Sequence, residues 1–173
     1  MNYEISRIKP KEIALIGLLS ATITGGKLAL SFIPNVEIVT LLFILYANIF
    51  GIKRTLLVSF IFTTMEIFIY GMNTWLLAYY LVWPLLVVLA WLLGRGAKNE
   101  YSFALLAGLF GLLFGLLFAI TESFFYGWAY GVNYWIRGIP FDIVHGFSNF
   151  ILALILYKPL YGILSRQKER FSN

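Results

Sequence analysis

The amino-acid sequence predicts an all-α integral membrane protein: six transmembrane helices in one bundle, with the amino and carboxyl termini both cytoplasmic. Three observations carry that prediction. Hydrophobic residues make up 61% of the 173 residues, charged residues only 12%, and the mean hydropathy is +0.85. That is too apolar for a soluble domain of this length. The charges fall in clusters separated by apolar stretches, several of them as long as the ~20 residues a helix needs to cross ~30 Å of hydrocarbon. Eleven of the thirteen basic residues fall on one side when an even number of spans is drawn with both termini inside, as the excess of Lys and Arg in cytoplasmic loops requires.

The spans run from Glu12 to Ser31, Ile38 to Phe50, Thr55 to Tyr70, Trp75 to Leu93, Ser102 to Tyr126 and Pro140 to Leu164. The second and third are short, which leaves them tilted, broken or leaning on neighbouring protein. Arg7, Lys9 and Lys11 precede the first span, and Lys53 and Arg54 lie between the second and third. Arg95 and Lys98 lie between the fourth and fifth, and Lys158, Arg166, Lys168 and Arg170 end the chain. Only Lys27 and Arg137 face the other side, so topology accounts for the net charge of +5 and nucleic-acid binding has no place in the argument. No cleavable signal peptide is expected. One domain covers residues 1–173, since no polar stretch is long enough to be a linker. The absence of cysteine excludes disulfides, thiolate metal sites and cysteine nucleophiles.

One pattern occurs twice. EIFIYGMNTW at 66–75 and ESFFYGWAYGVNYW at 122–135 both read Glu-x-Phe-x-Tyr-Gly and then Tyr-Gly-x-Asn-x-Trp, with four extra residues in the second copy. Both copies fall at the non-cytoplasmic ends of outward-running helices. Glu66 and Tyr70, like Glu122 and Tyr126, are four apart and share a helix face. Glycine then ends the helix, and Asn73 with Trp75, or Asn133 with Trp135, follows in a loop or at the next helix start. An aromatic belt accounts for the rings. It does not account for the carboxylates, because an ionisable group within a span costs about 2.5–3.5 kcal/mol on insertion scales and faces protein, water or a ligand.

Further polar groups reach the same side. Lys27 closes the first span, and SFIPNVEIVT carries Asn35 and Glu37 beside a helix-breaking proline. The last span opens with Pro140 as a first-turn residue. Asp142, His145 and Asn149 follow at i, i+3 and i+7, hence on one face. Interhelical hydrogen bonding explains that triplet as readily as ligand binding does, and a proton relay stays open. A lone His with an Asp three residues away, without a second His, Cys or HExxH, is weak evidence for a metal. A one-sided set of rings, carboxylates, amides and cations suits a pocket for a polar, flat molecule. Two small-residue stripes, Gly17/Ala21/Gly25 and Gly111/Gly115/Ala119, allow close helix approach. The second is read as internal packing, and the first as packing or a docking surface.

The length, the six spans, the first-helix stripe, GKLALSFIPNVEIVTLLFILYANIFG and WIRGIPFDIVHGFSNFILALILYKPLYGIL together resemble the S component of an energy-coupling factor (ECF) transporter, over nearly the whole chain. The resemblance implies capture of a small water-soluble vitamin or precursor at the extracellular face of a prokaryotic cell membrane. It also implies delivery inward with a coupling membrane protein and two cytoplasmic ATPases. The chain has no phosphate-binding loop of its own, in line with that. The resemblance makes Gly17, Ala21 and Gly25 the docking stripe, although glycine replaces alanine at two positions. The set of candidate ligand residues is Asn35, Glu37, Glu66, Tyr70, Asn73, Trp75, Tyr79, Glu122, Tyr126, Asn133, Trp135, Arg137, Asp142, His145 and Asn149. No catalytic residue, cofactor or metal is expected. The competing expectation is a rod-shape-determining type of scaffold for cell-wall synthesis, which binds proteins and no small ligand.

Overall fold

The computed structural model describes residues 9–96 and 99–172, so Arg7 and Lys98 lie outside the described residues. Among the described residues there are seven helices and no strand: α1 (Pro10–Leu30), α2 (Val39–Ile49), α3 (Ile52–Tyr70), α4 (Thr74–Gly94), α5 (Glu100–Leu112), α6 (Phe114–Tyr126) and α7 (Trp128–Ser172). By length and composition, α1, α4 and α7 are able to cross a membrane, and α5 with α6 makes a fourth crossing if that bent pair is one span. This fits a membrane protein but falls short of six self-sufficient spans.

The two shortfalls have separate causes. Helix α3 has 19 residues but carries Lys53, Arg54 and Glu66. Helix α2 has 11 residues, about 16 Å at 1.5 Å per residue. It is apolar all round, and ten of its residues are buried, because α1, α3, α4, α5 and α7 all pack against it. A helix hydrophobic on every side belongs in the middle of a bundle.

Between α5 and α6 the axis turns by 41° at Leu113. Glycine makes the neighbouring packing close. A Cβ on Gly111 would lie 2.8 Å from the Cα of Gly146, and one on Gly108 would lie 3.0 Å from the Cβ of Phe150. The second small-residue stripe therefore packs α5 and α6 against α7. Gly17, Ala21 and Gly25 instead sit on the exposed face of α1, and a Cβ on either glycine would meet nothing within 4 Å.

Polar contacts define one end of the bundle. Arg54 pairs with Glu12 at 2.9 Å, Lys158 with Glu100 at 3.9 Å, and the Lys168 ammonium donates to the Ile49 carbonyl at 2.6 Å. The starts of α1, α3 and α5 and the ends of α2 and α7 thus meet where the basic residues cluster. At the opposite end, α1, α2, α3 and α7 surround a cavity together with α4 and α6.

One expectation is overturned in α7. The segment before Pro140 was expected as a loop with the helix starting at the proline; in the structure the helix begins at Trp128 and runs through both Pro140 and Pro159. Gly127 alone breaks the chain, at φ +86°, where a side chain would be strained. Past that break, Pro140 denies a backbone donor only to the carbonyl of Ile136, one bond in a helix of 45 residues. Gly131, which resembles a turn residue in sequence, is a contact residue, since its Cβ would come within 2.6 Å of the Ala119 carbonyl oxygen on α6.

Candidate functional site

A cavity of about 1050 Å³ opens between the end of α1, the 31–38 loop, the end of α3, the start of α4, the start of α6 and the first half of α7. Its apolar floor follows from two aromatic stripes at four-residue spacing. Helix α4 contributes Trp75, Tyr79 and Trp83, with ring centroids 5.5 and 5.3 Å apart along the stripe. Facing them, Phe114 and Phe118 of α6 lie 4.7 Å apart, and Tyr79 meets Phe118 at 5.7 Å. The edge-to-face contacts among these, Trp75–Tyr79, Tyr79–Trp83 and Tyr79–Phe118, are worth about 0.5–1.5 kcal/mol each beyond area burial.

Lys27 forms one wall. Its ammonium pairs with the fully buried Glu66 and lies within a cage of rings, 4.9 Å from Tyr70, 5.2 Å from Tyr79 and 5.9 Å from both Phe62 and Trp75. Rings hold a cation by their quadrupole, and here they make up for water lost by the ion pair. Glu66 itself does not line the cavity, because Lys27 stands in front of it. In the structure it is the counter-ion of Lys27.

The 31–38 loop is pinned to α7. Asn35 adopts φ +59°, which asparagine tolerates better than most residues, and its carbonyl accepts from Ser148 at 2.8 Å. Glu37 accepts from the Thr40 amide at 2.9 Å, holding the first turn of α2, and meets His145 Nε2 at 3.2 Å. Burial pushes the Glu37 carboxyl up, but the bonds with His145 and Thr40 outweigh it and hold the group below the usual 4.5.

Asp142, His145 and Asn149 share a face as their spacing predicted, and each has a different task. Asp142 accepts from the Gly115 amide at 2.9 Å. That amide sits in the first turn of α6, so a carboxylate from α7 serves a helix N-terminus opened by the bend at Leu113. Asn149 donates to Thr40 at 3.2 Å and lies off the cavity, whereas Asp142 and His145 line it. Asn149 thus makes the interhelical hydrogen bond that its spacing allowed.

The repeat divides in the same way. Gly71 and Gly127 take φ +80° and +86° and end α3 and α6. Glu122 is buried and accepts from the Thr74 hydroxyl at 3.0 Å, away from the cavity wall. Asn73 precedes α4 in extended backbone and does not reach the cavity. Asn133 does line it, but from within a helix, with its amide nitrogen donating back to the Ala129 carbonyl at 2.9 Å. Tyr126 and Trp135 are exposed and off the wall. The two Asn-x-Trp ends differ in structure, because the first crosses a helix break and the second is helical.

Of the expected set, the structure brings together Asn35, Glu37, Tyr70, Trp75, Tyr79, Asn133, Arg137, Asp142 and His145. Lys27 joins them, as do Trp83, Phe114, Phe118, Tyr130, Tyr134 and Phe141, which sequence reasoning missed. The four-residue stripes 75/79/83 and 114/118 were the available signal. Among the described residues no group of three His, Cys, Asp or Glu side chains is placed to hold a metal. The arrangement stacks rings and bonds polar edges. Comparison with protein-family models, with curated proteins and with solved structures finds no match to this chain.

Proposed function

We propose that the protein is a substrate-capturing subunit of a membrane importer of the ECF type, which takes a small water-soluble vitamin or precursor from outside a prokaryotic cell and passes it inward. The observation that carries the reading is the cavity of about 1050 Å³ at one end of the bundle, opposite the basic end. Its size suits a drug-sized or vitamin-sized molecule, and its rings flank committed polar groups. With the basic end cytoplasmic, as the positive-inside rule requires, the cavity faces out and both termini lie inside. Six passes then include α2 and α3, which are shielded by neighbours more than by their own length. The exposed Gly17/Ala21/Gly25 face of α1 is free to meet a coupling membrane protein that carries two ATPases.

Calorimetric titration of the detergent-purified protein with a panel of B-group vitamins and precursors tests this reading. Submicromolar binding of one of them, weakened by Tyr79→Ala, supports capture. No binding across the panel, with co-purification of cell-wall synthesis proteins, favours a scaffold.

A further inference from the structure

The polar atoms on the cavity wall are unevenly committed, and the imbalance bears on the charge of the molecule the cavity takes. Both oxygens of Glu37 are used, one by the Thr40 amide and one by His145. Asp142 gives Oδ1 to the Gly115 amide, while its Oδ2 is buried close against Gly115, where an added Cβ would lie 2.3 Å away. Glu37 is thus committed to the protein, and the one acidic oxygen without a partner, Asp142 Oδ2, is buried out of reach of a molecule in the cavity.

The cationic side chains are not. An ammonium has three donors; Lys27 bonds Glu66, and its side chain stays 21% exposed on the cavity wall. Arg137 lines the cavity and has neither a hydrogen bond nor an ion pair to any described residue. A guanidinium offers five donors in a fixed fork and keeps its charge at any working pH. The spare hydrogen-bonding capacity that the charged groups expose to the cavity is thus of the donating kind.

The rings do not reverse this balance. An aromatic cage attracts cations, but this cage already holds Lys27, so a cationic guest would have to expel a tethered ammonium and strand Glu66. Asn35 and Asn133 carry amides, which favour neither sign.

Resting on the capture reading above, we propose that the captured molecule is a planar organic anion. Its ring lies on the aromatic floor that Trp75, Tyr79, Phe114 and Phe118 form together, its carboxylate or phosphate meets Arg137, and Lys27 donates to an acceptor on the same molecule. A bidentate pairing of guanidinium with an oxyanion is both strong and geometrically selective.

Paired probes test the charge directly on the full chain in detergent: nicotinate against nicotinamide, orotate against uracil, pyridoxal 5′-phosphate against pyridoxal, with thiamine as a cation. Calorimetry gives the affinities, and native mass spectrometry identifies any molecule retained from the cell. The expected result is that an anion binds about 10- to 100-fold more tightly than its uncharged mate. Arg137→Gln removes that preference and Arg137→Lys keeps part of it. The carboxylate and phosphate pairs separate the two oxyanions. A retained molecule outside the panel decides in the same way: an anion lost in Arg137→Gln supports the inference. A neutral or cationic molecule bound as well or better, or an Arg137→Gln variant with unchanged preference, overturns the inference and leaves capture standing. No probe bound and no molecule retained overturns both.

Discussion

The Thr74 hydroxyl donates to the Glu122 carboxylate at 3.0 Å, so the second copy of the repeated motif is tied to the first. Thr74 opens α4 just after the Gly71 break, and Glu122 lies near the end of α6 just before the Gly127 break. The repeated glutamate thus has an architectural use. Glu66 and Glu122 each close a helix end by reaching to another element, Lys27 of α1 in one case and Thr74 of α4 in the other.

Removing the hydroxyl leaves a buried carboxylate short of a donor. Thr74→Val is expected to cost about 1–3 kcal/mol in reversible unfolding in mixed micelles. Glu122→Gln should be nearly neutral, since its amide oxygen still accepts from Thr74. Equal effects of the two substitutions would show that the contact does not hold the α4 and α6 ends together.

Glu66 depends on Lys27 more heavily, because it is fully buried. Lys27→Met is expected to cost about 3–5 kcal/mol by stranding the carboxylate. The double variant Lys27→Met/Glu66→Gln should recover a good part of that loss, since the stranded charge is then gone. Additive losses in the same unfolding assay would contradict the ion-pair account.

Glycine substitutions should separate the two small-residue stripes. Gly115→Ala puts a methyl 2.3 Å from Asp142 Oδ2, and a loss of about 1–3 kcal/mol is expected from overpacking. Gly17→Ala meets nothing within 4 Å and should be neutral, or gain up to about 1 kcal/mol from helix propensity. Thermal unfolding of both variants reads the contrast.

Glu37 gives the fold a pH dependence of predictable sign. Its carboxyl is held below the usual 4.5 in the folded protein, so it stabilises the fold above that value, and the contribution is lost as pH falls through the folded-state value. Thermal stability should be level from about pH 7 to about pH 5 and fall below about 4.5, with a smaller fall in Glu37→Gln. An identical acid limb in the variant would assign the fall to other carboxylates.

The membrane class was legible because apolar composition and basic clustering are properties of the whole chain. So was the shared face of Asp142, His145 and Asn149, since helical spacing alone fixes it. The partners of those residues were not legible: nothing local connects Asp142 to Gly115, and that bond exists only because α5 and α6 bend at Leu113. The helical start of α7 was hidden by Gly131, Gly138 and Pro140, residues that signal a turn in isolation; here Gly131 allows close packing on α6, and the helix runs through Gly138 and Pro140. The cavity floor was missed because an aromatic at every fourth position looks the same whether it packs core or lines a cavity. Trp83 and Phe114 do both.

The central claim is that the cavity beneath the 31–38 loop holds a small molecule, and the two tryptophans of the repeat test it most directly. Trp75 lines the cavity and Trp135 is exposed away from it. Native mass spectrometry and titration of the purified protein should find a bound small molecule. Its affinity should fall by about tenfold or more in Trp75→Ala, as expected for the loss of a buried ring contact, and stay near wild type in Trp135→Ala. No bound molecule in the wild-type protein, or equal losses in the two variants, would contradict the account.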